Sequence, residues 1–255
     1  MGSDIWDYPI QRGIASLKRL PPPDILDVNL PAGFVCLITD DGTLLTPTLV
    51  TALNGRNWKV IVLSLTGKEN NSQYPLPENV QRVILEEMSE ENLQNVLEKI
   101  GQSVGPIGAV IHLNPTSYPQ TGDQLDFQNQ EKMIVKHIFL LAKYLKESLN
   151  LSANKGRGIF VSVTHLDGQF GLSRNIDFDP ISGGLFGLVK TLNLEWEPVF
   201  CRAIDLTPEF MAEEATEKIM AELFDPNRLI SEVGYSSLGR ATLVVEQVQD
   251  LEVHK

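Results

Sequence analysis

Short apolar runs alternate along this chain with longer stretches in which apolar residues recur every three or four positions. The runs at 34–38, 58–65, 80–85, 109–113, 159–163 and 201–206 have the length and composition of buried strands. The stretches at 47–53, 90–100, 126–149, 181–196 and 208–224 carry a helical period. In the long one, Ile134, Ile138, Leu141, Leu145 and Leu149 share a face; in the fourth, Leu185, Leu188, Val189, Leu192 and Trp196 do. Residues 232–245 close the chain as one or two strands. Strand followed by helix, repeated, predicts an α/β fold. It implies a doubly wound, mostly parallel sheet of six or seven strands, right-handed crossovers and helices on both faces.

Local signals fix some boundaries. Ser89 is an N-cap, with Asn92 three residues on. Asn54-Gly55 ends the first helix. Pro180 suits a first helical turn, and Pro198 stops the helix that follows. Residues 66–78 are polar and proline-containing, hence loop. Two regions follow: an arm at 1–32, and a domain at 33–250. Within the arm, residues 10–20 alternate imperfectly, as an edge strand does, and Pro21-Pro22-Pro23 is a stiff spacer.

Composition narrows the setting. The chain has 255 residues, 42% of them hydrophobic, enough for a large core. Its net charge of −12 argues against nucleic-acid or anionic-membrane partners, which need basic patches. Cys36 and Cys201 lie in apolar runs, without metal spacing, and read as reduced core residues of a cytoplasmic protein. No signal peptide, transmembrane run or internal repeat is legible. Met1-Gly2-Ser3 reads as a cloned start, so the chain is expected to be a piece of something larger.

The stretch from Asp179 to Leu206 carries a resemblance. It reads Asp-Pro-Ile-Ser-Gly-Gly-Leu-Phe-Gly-Leu-Val-Lys-Thr-Leu-Asn-Leu-Glu-Trp, then Glu-Pro-Val-Phe, then Cys-Arg-Ala-Ile-Asp-Leu. This resembles the ketoreductase region of iterative polyketide, polyunsaturated-fatty-acid and heterocyst-glycolipid synthases. More narrowly it resembles the structural half of that region, a truncated, Rossmann-like short-chain-dehydrogenase fold. The resemblance extends from the Pro21-Pro22-Pro23 arm to Val245 and is most specific over 156–206. It implies a non-catalytic subdomain that buttresses an NADPH-dependent catalytic ketoreductase half later in the same polypeptide. The parent would be a synthase with acyltransferase and ketoreductase activities. Gly183, Gly184 and Gly187 are then expected to be packing glycines.

The resemblance also says where a cofactor would sit. The short-chain reductases use a Thr-Gly-x-x-x-Gly-x-Gly turn after the first strand. Here the turn is Thr39-Asp40-Asp41-Gly42-Thr43-Leu44-Leu45-Thr46, which keeps only Thr39 and one glycine. Leu44 and Leu45 put side chains where backbone must approach the pyrophosphate. Asp40 and Asp41 put negative charge beside a dianion, each costing on the order of 3 kcal/mol at an effective dielectric of 20. The second strand ends Leu63-Ser64-Leu65, with neither the acid that would hold a ribose nor the Arg that would hold a 2′-phosphate. The expectation is no cofactor-binding residue in this chain.

The reductases' Tyr-x-x-x-Lys is missing too. Four positions after Tyr8, Tyr74, Tyr118, Tyr144 and Tyr235 stand Arg12, Glu78, Gly122, Ser148 and Gly239. Aligned on Gly187-Leu188, Phe178 takes the Tyr place and Ser182 the Lys place, and neither can do that proton chemistry. Ser162 and Thr164 fall near the family's Ser. Ser162, His165 and Asp167 are sequence neighbours, which does not make a triad. Asp40-Asp41 at a strand end is similar to a phospho-acceptor magnesium pocket, but the later strand ends Leu113-Asn114-Pro115 without the needed aspartate. His112 and His137 read as satisfied core or helix histidines. Glu86-Glu87 and Glu213-Glu214 read as solvated surface. No catalytic and no metal-binding residue is expected.

Three functional readings stand at this point: the structural subdomain, an active NAD(P)-dependent short-chain oxidoreductase with an atypical site, and a free-standing interaction domain of the same fold. For the first, the expected contacts with the catalytic half are residues 10–20, the C-terminal strand and the small-residue side of the helix, Ser182, Gly183 and Gly187. Self-association through the same surfaces is expected when the chain stands alone.

Overall fold

The computed structural model describes residues 13–26, 28–64, 74–87, 89–115, 124–173 and 180–247. The expectations for residues 1–12 of the arm, for 65–73 of the loop and for Phe178 lie outside them. One nine-stranded sheet runs through the molecule in the order β1-β9-β8-β7-β6-β5-β2-β3-β4. Its strands are β1 (Gly13–Arg19), β2 (Val35–Thr39), β3 (Val60–Ser64), β4 (Gln81–Ile84), β5 (Ile107–Leu113), β6 (Ile159–Thr164), β7 (Phe200–Leu206), β8 (Glu232–Ser236) and β9 (Gly239–Gln247). From β4 across to β8 all neighbours are parallel. β9 then returns antiparallel to β8, and β1 lies antiparallel to β9. The parallel core has the expected size; the two further strands are the C-terminal return and the arm.

The helices are α1 (Leu45–Asn54), α2 (Glu90–Ser103), α3 (Gln124–Lys155), α4 (Gly184–Glu195) and α5 (Ala212–Leu223). Alternation along each strand sends side chains to two cores. Leu37, Ile61, Val110, Phe160 and Cys201 face α2, α3 and α4. Cys36, Ile38, Val60, Val62, Ile111, Val161 and Ile204 face α1 and α5. Leu20, Val28 and Leu30 of the arm pack onto the second core.

Boundaries shift for identifiable reasons. The Ser89 Oγ accepts the Asn92 N–H at 3.3 Å, the cap the sequence signals. Gly55 caps α1 in a right-handed conformation; the left-handed residue is Asn57 at φ 62°. Pro180–Gly183 forms a 3-10 turn, and α4 proper starts at Gly184. Phe186 joins the apolar face of α4, buried with Leu185, Val189 and Leu192.

The glycines of α4 do not pack as expected. A methyl group built at Gly183 or Gly187 meets nothing within 4 Å, and one at Gly184 only grazes Val135 at 4.0 Å. Gly184 and Gly187 are exposed. Their smallness serves no contact among the described residues. Ser182, counted with them from sequence, is instead buried and accepts a hydrogen bond from Asn114 Nδ2 at 3.3 Å. The close approaches occur elsewhere. A Cβ on Gly168, at φ +68°, would stand 1.9 Å from the Tyr235 carbonyl oxygen, so the loop after β6 meets β8 only through glycine.

Candidate functional site

In a doubly wound sheet, ligands bind beyond the carboxyl ends of the strands, where strand order reverses. Here that place is the rim between β2 and β5, with the turn from β2 into α1 at its centre. The turn is closed by its own side chains. Asp40 Oδ1 accepts the Gly42 N–H at 3.0 Å. Asp41 Oδ1 accepts the Thr43 N–H at 3.1 Å and the Thr46 hydroxyl at 2.6 Å, and Asp41 Oδ2 accepts the Thr43 hydroxyl at 2.6 Å. Thr46 Oγ1 accepts the Asp41 N–H at 3.2 Å, and Thr43 Oγ1 accepts the Leu45 N–H at 3.1 Å. The N–H groups of 41, 42, 43 and 45 are thus all bonded within the turn. A helix N-terminus attracts an anion through such free N–H groups and its dipole. In this chain the Asp41 carboxylate, itself buried, lies in the turn before α1, bonded to the Thr43 N–H and to the Thr43 and Thr46 hydroxyls.

This refines the electrostatic expectation. Asp40 is also paired, its Oδ2 standing 3.1 Å from Arg82 Nε of β4. Asp40 thus has a countercharge from β4, and Asp41 has hydrogen-bond donors within the turn, so both carboxylates are already engaged. Leu45 is buried in the α1–α5 core, while Leu44 is exposed. The N–H groups of 41, 42, 43 and 45 fit a pyrophosphate poorly, because each is already bonded within the turn.

Beside the turn, a polar row crosses the sheet. Thr39, His112 and Ser162 stand in register on β2, β5 and β6. His112 Nδ1 meets Thr39 Oγ1 at 2.7 Å, and Thr39 Oγ1 accepts the Leu113 N–H at 3.0 Å. Burial pushes His112 down to about 3, against the opposing effect of the Asn114 side chain, so the ring is neutral. Its Nε2 and the Ser162 hydroxyl have no partner among the described residues. His112 is therefore half satisfied, not fully as expected. His137 is likewise bonded only at Nδ1, to the Met133 carbonyl at 2.7 Å.

Ser162, His165 and Asp167 are not brought into a hydrogen-bonded triad. Asp167 spends its carboxylate on the N–H groups of Gln169, Gly171 and Ser173 at 2.7, 2.8 and 3.0 Å. Burial alone would raise Asp167; these loop donors outweigh it and hold the carboxyl below its ordinary value. Burial lowers His165, against the attraction of Asp41. Tyr144 donates to Glu90 at 2.5 Å and Tyr235 to Glu222 at 2.5 Å. Cys36 and Cys201 are buried free thiols; burial pushes Cys201 up to about 12, with Arg228 opposing, and raises Cys36 further. Among the described residues, no group of three His, Cys, Asp or Glu could hold a metal ion. Glu86, Glu87, Glu213 and Glu214 are exposed, as expected.

Sequence reasoning missed the largest polar constellation, which lies under α5. Arg202, fully buried on β7, hydrogen-bonds Glu222 and, at 2.8 Å, Asp225. Arg240 of β9 donates to Glu222 at 2.6 and 3.0 Å and to Asp225 at 2.8 Å. It also reaches the Pro21 carbonyl of the arm at 3.0 Å. Arg202 Nε donates to the Ile230 carbonyl at 3.1 Å, and its guanidinium lies 4.7 Å from the Phe200 ring. Two cations and two anions balance, and nearly every donor is used, which is the condition for burying charge. The signal was in the sequence: an arginine interrupting an apolar run demands a buried partner. A second missed group is Asp205, which accepts the Leu166 and Phe170 N–H groups, both at 2.8 Å, and so anchors the loop after β6.

No protein-family profile matches the chain. Over 240 residues the chain is 29% identical to a polyunsaturated fatty acid synthase protein of Thraustochytrium sp. (strain ATCC 26185 / S-3), covering 91% of this chain and 8% of that protein. An apo SCOR enzyme from Clostridium thermocellum superposes at a TM-score of 0.57 with 10% identity, over 78% of this chain and 89% of that one. The gox2181 structure superposes at 0.55 with 16% identity, over 69% and 72%. Aldohexose dehydrogenase from Thermoplasma acidophilum gives 0.51 and 11%, over 68% and 66%.

The fold is that of the short-chain dehydrogenases. At these identities the short-chain-dehydrogenase likeness speaks for architecture alone. The synthase relative is a distant homologue of which this chain matches a small part. No helix of the described residues is long and apolar enough to cross a membrane.

Proposed function

We propose that this chain is a non-catalytic structural subdomain of a multidomain polyketide or fatty-acid-type synthase, buttressing the NADPH-dependent catalytic ketoreductase half of the same polypeptide. The observation that carries this reading is the turn after β2, where the donors a pyrophosphate would use are bonded to Asp40, Asp41, Thr43 and Thr46. The homology to a polyunsaturated fatty acid synthase supplies the context. The absence of Tyr-x-x-x-Lys in the sequence supports the same reading.

The surface for the catalytic half is the bare side of α4. Gly183 and Gly187 leave open space there, and Lys190 and Thr191 flank it, exposed. Small residues on an exposed helix face admit a second helix at short range. The C-terminal strand β9 pairs with β8 only over Gly239, Arg240 and Ala241 and with β1 from Ala241 to Gln247, so its β8 side is unpaired beyond Ala241 among the described residues.

Three measurements test the reading. Calorimetric titration with NADPH and NADH should show no binding; a dissociation constant below about 100 μM, some −5.5 kcal/mol, overturns it. In co-expression, Gly183→Leu with Gly187→Leu should fold, because both positions face open space, yet lose association with the downstream domain. A downstream domain that reduces its substrate equally well without residues 1–255 also overturns it.

A further inference from the structure

We propose that the outer edge of β1 pairs with the same edge of a second copy of this chain, antiparallel and centred on Ser16. This goes beyond the buttressing reading, which expected residues 10–20 to meet the catalytic half, by committing residues 13–19 to a second copy in one register.

The ribbon formed by β1 and β9 is incomplete. β9 pairs with β8 only at Gly239, Arg240 and Ala241, whereas its residues out to Gln247 pair with β1. Beyond Ala241 the ribbon has just two strands among the described residues, and two strands alone are marginal in water. Its faces are not those of a solvated ribbon. Ala15 stands opposite Val245 and Leu17 opposite Leu243, making an apolar patch on one face. Val245 is 75% exposed, and Ile14 on the other face is 60% exposed. The free edge is only partly protected: β1 holds register with β9 over all seven residues without a slip and carries no proline, and its charges, Lys18 and Arg19, sit together at one end.

The sequence of β1 is complementary to itself in one register. A twofold axis at Ser16 sets Ala15 opposite Leu17 of the second copy, continuing the apolar patch. It sets Lys18 opposite Ile14 and Arg19 opposite Gly13, so no like charges face each other. Neighbouring registers do worse. Centring on Ala15 opposes Lys18 with Arg12, and centring on Leu17 opposes Gly13 with Pro21, which has no N–H to give. In the Ser16 register a four-stranded ribbon, β9-β1 from each copy, replaces two marginal pairs. β1 carries Lys18 and Arg19 and no acid, and the Ser16 register keeps these basic ends at opposite ends of the paired strands.

The test uses the full 255-residue chain in sedimentation velocity and changes one exposed side chain in both directions. Ile14→Lys places lysine opposite Lys18 of the second copy and should weaken the dimer at least tenfold, about 1.4 kcal/mol. Ile14→Glu places a carboxylate there and should hold the dimer or tighten it. Inside one chain Ile14 faces Glu246, so the effects on the ribbon itself run the opposite way, and loss of folding cannot imitate the result. A wild-type chain that is monomeric at about 100 μM overturns the proposal. So does an Ile14→Lys chain that dimerises as tightly as Ile14→Glu.

Discussion

Two carboxylate clusters, the turn after β2 and the knot under α5, use the same chemistry for different ends. In the turn, Asp40 and Asp41 bind groups at most a few residues away, apart from Arg82. The knot joins residues far apart in sequence: Arg202 on β7, Glu222 and Asp225 at the end of α5, Arg240 on β9 and Pro21 in the arm. The first closes a place where a fold of this kind is ordinarily open. The second ties the arm and the antiparallel edge to the parallel sheet. On the proposed structural role, the second kind of polar network is needed and an open version of the first is not.

Removing one carboxylate from each cluster measures the contrast. Glu222→Ala should cost the most, about 3–5 kcal/mol, because Arg202 and Arg240 are left buried without their main partner. Chemical denaturation reads this directly. A loss under ~1 kcal/mol would mean that water or rearrangement satisfies the arginines.

Asp205 gives an intermediate effect that depends on pH. Burial raises its carboxyl to about 7, against the lowering effect of the Phe170 and Leu166 N–H groups. The folded state therefore keeps a proton that the unfolded chain releases near 4. Stability from this group is full below about pH 4, falls as pH rises, and is lost above about pH 7. Denaturation midpoints of the wild type should decline across that window by an amount equivalent to a few kcal/mol, and Asp205→Asn should flatten the decline. An unchanged slope in the variant would assign the decline to other groups.

Asp41→Ala should cost the least, about 1–2 kcal/mol, because it leaves the Thr43 N–H and the Thr43 and Thr46 hydroxyls without their acceptor. If this variant proves as damaging as Glu222→Ala, the two clusters are not different in kind. Thermal melts of both in one buffer decide the matter.

Hydrophobic periodicity alone determined the order and type of the elements, because a buried parallel strand and an amphipathic helix each impose a repeat on the chain. The edge strand of the arm and the Ser89 cap were legible for the same local reason. The loss of the glycine-rich turn was legible as well, since a Cβ or a charge at a required glycine is visible in the letters.

What only tertiary structure decided depends on which distant groups meet. Sequence places Asp41 in the turn after the first strand, but only the fold shows its carboxylate buried and bonded to Thr43 and Thr46. Sequence counts Gly183 and Gly187 as packing glycines, but only the fold shows open space beside them. Arg202 in an apolar run announces a buried partner without naming it. Glu222 and Asp225 lie 20 and 23 residues onward, and they reach the arginine only because α5 folds back across β7. Local spacing governs propensity and caps; long-range pairing of charge is set by topology, and no local pattern encodes it.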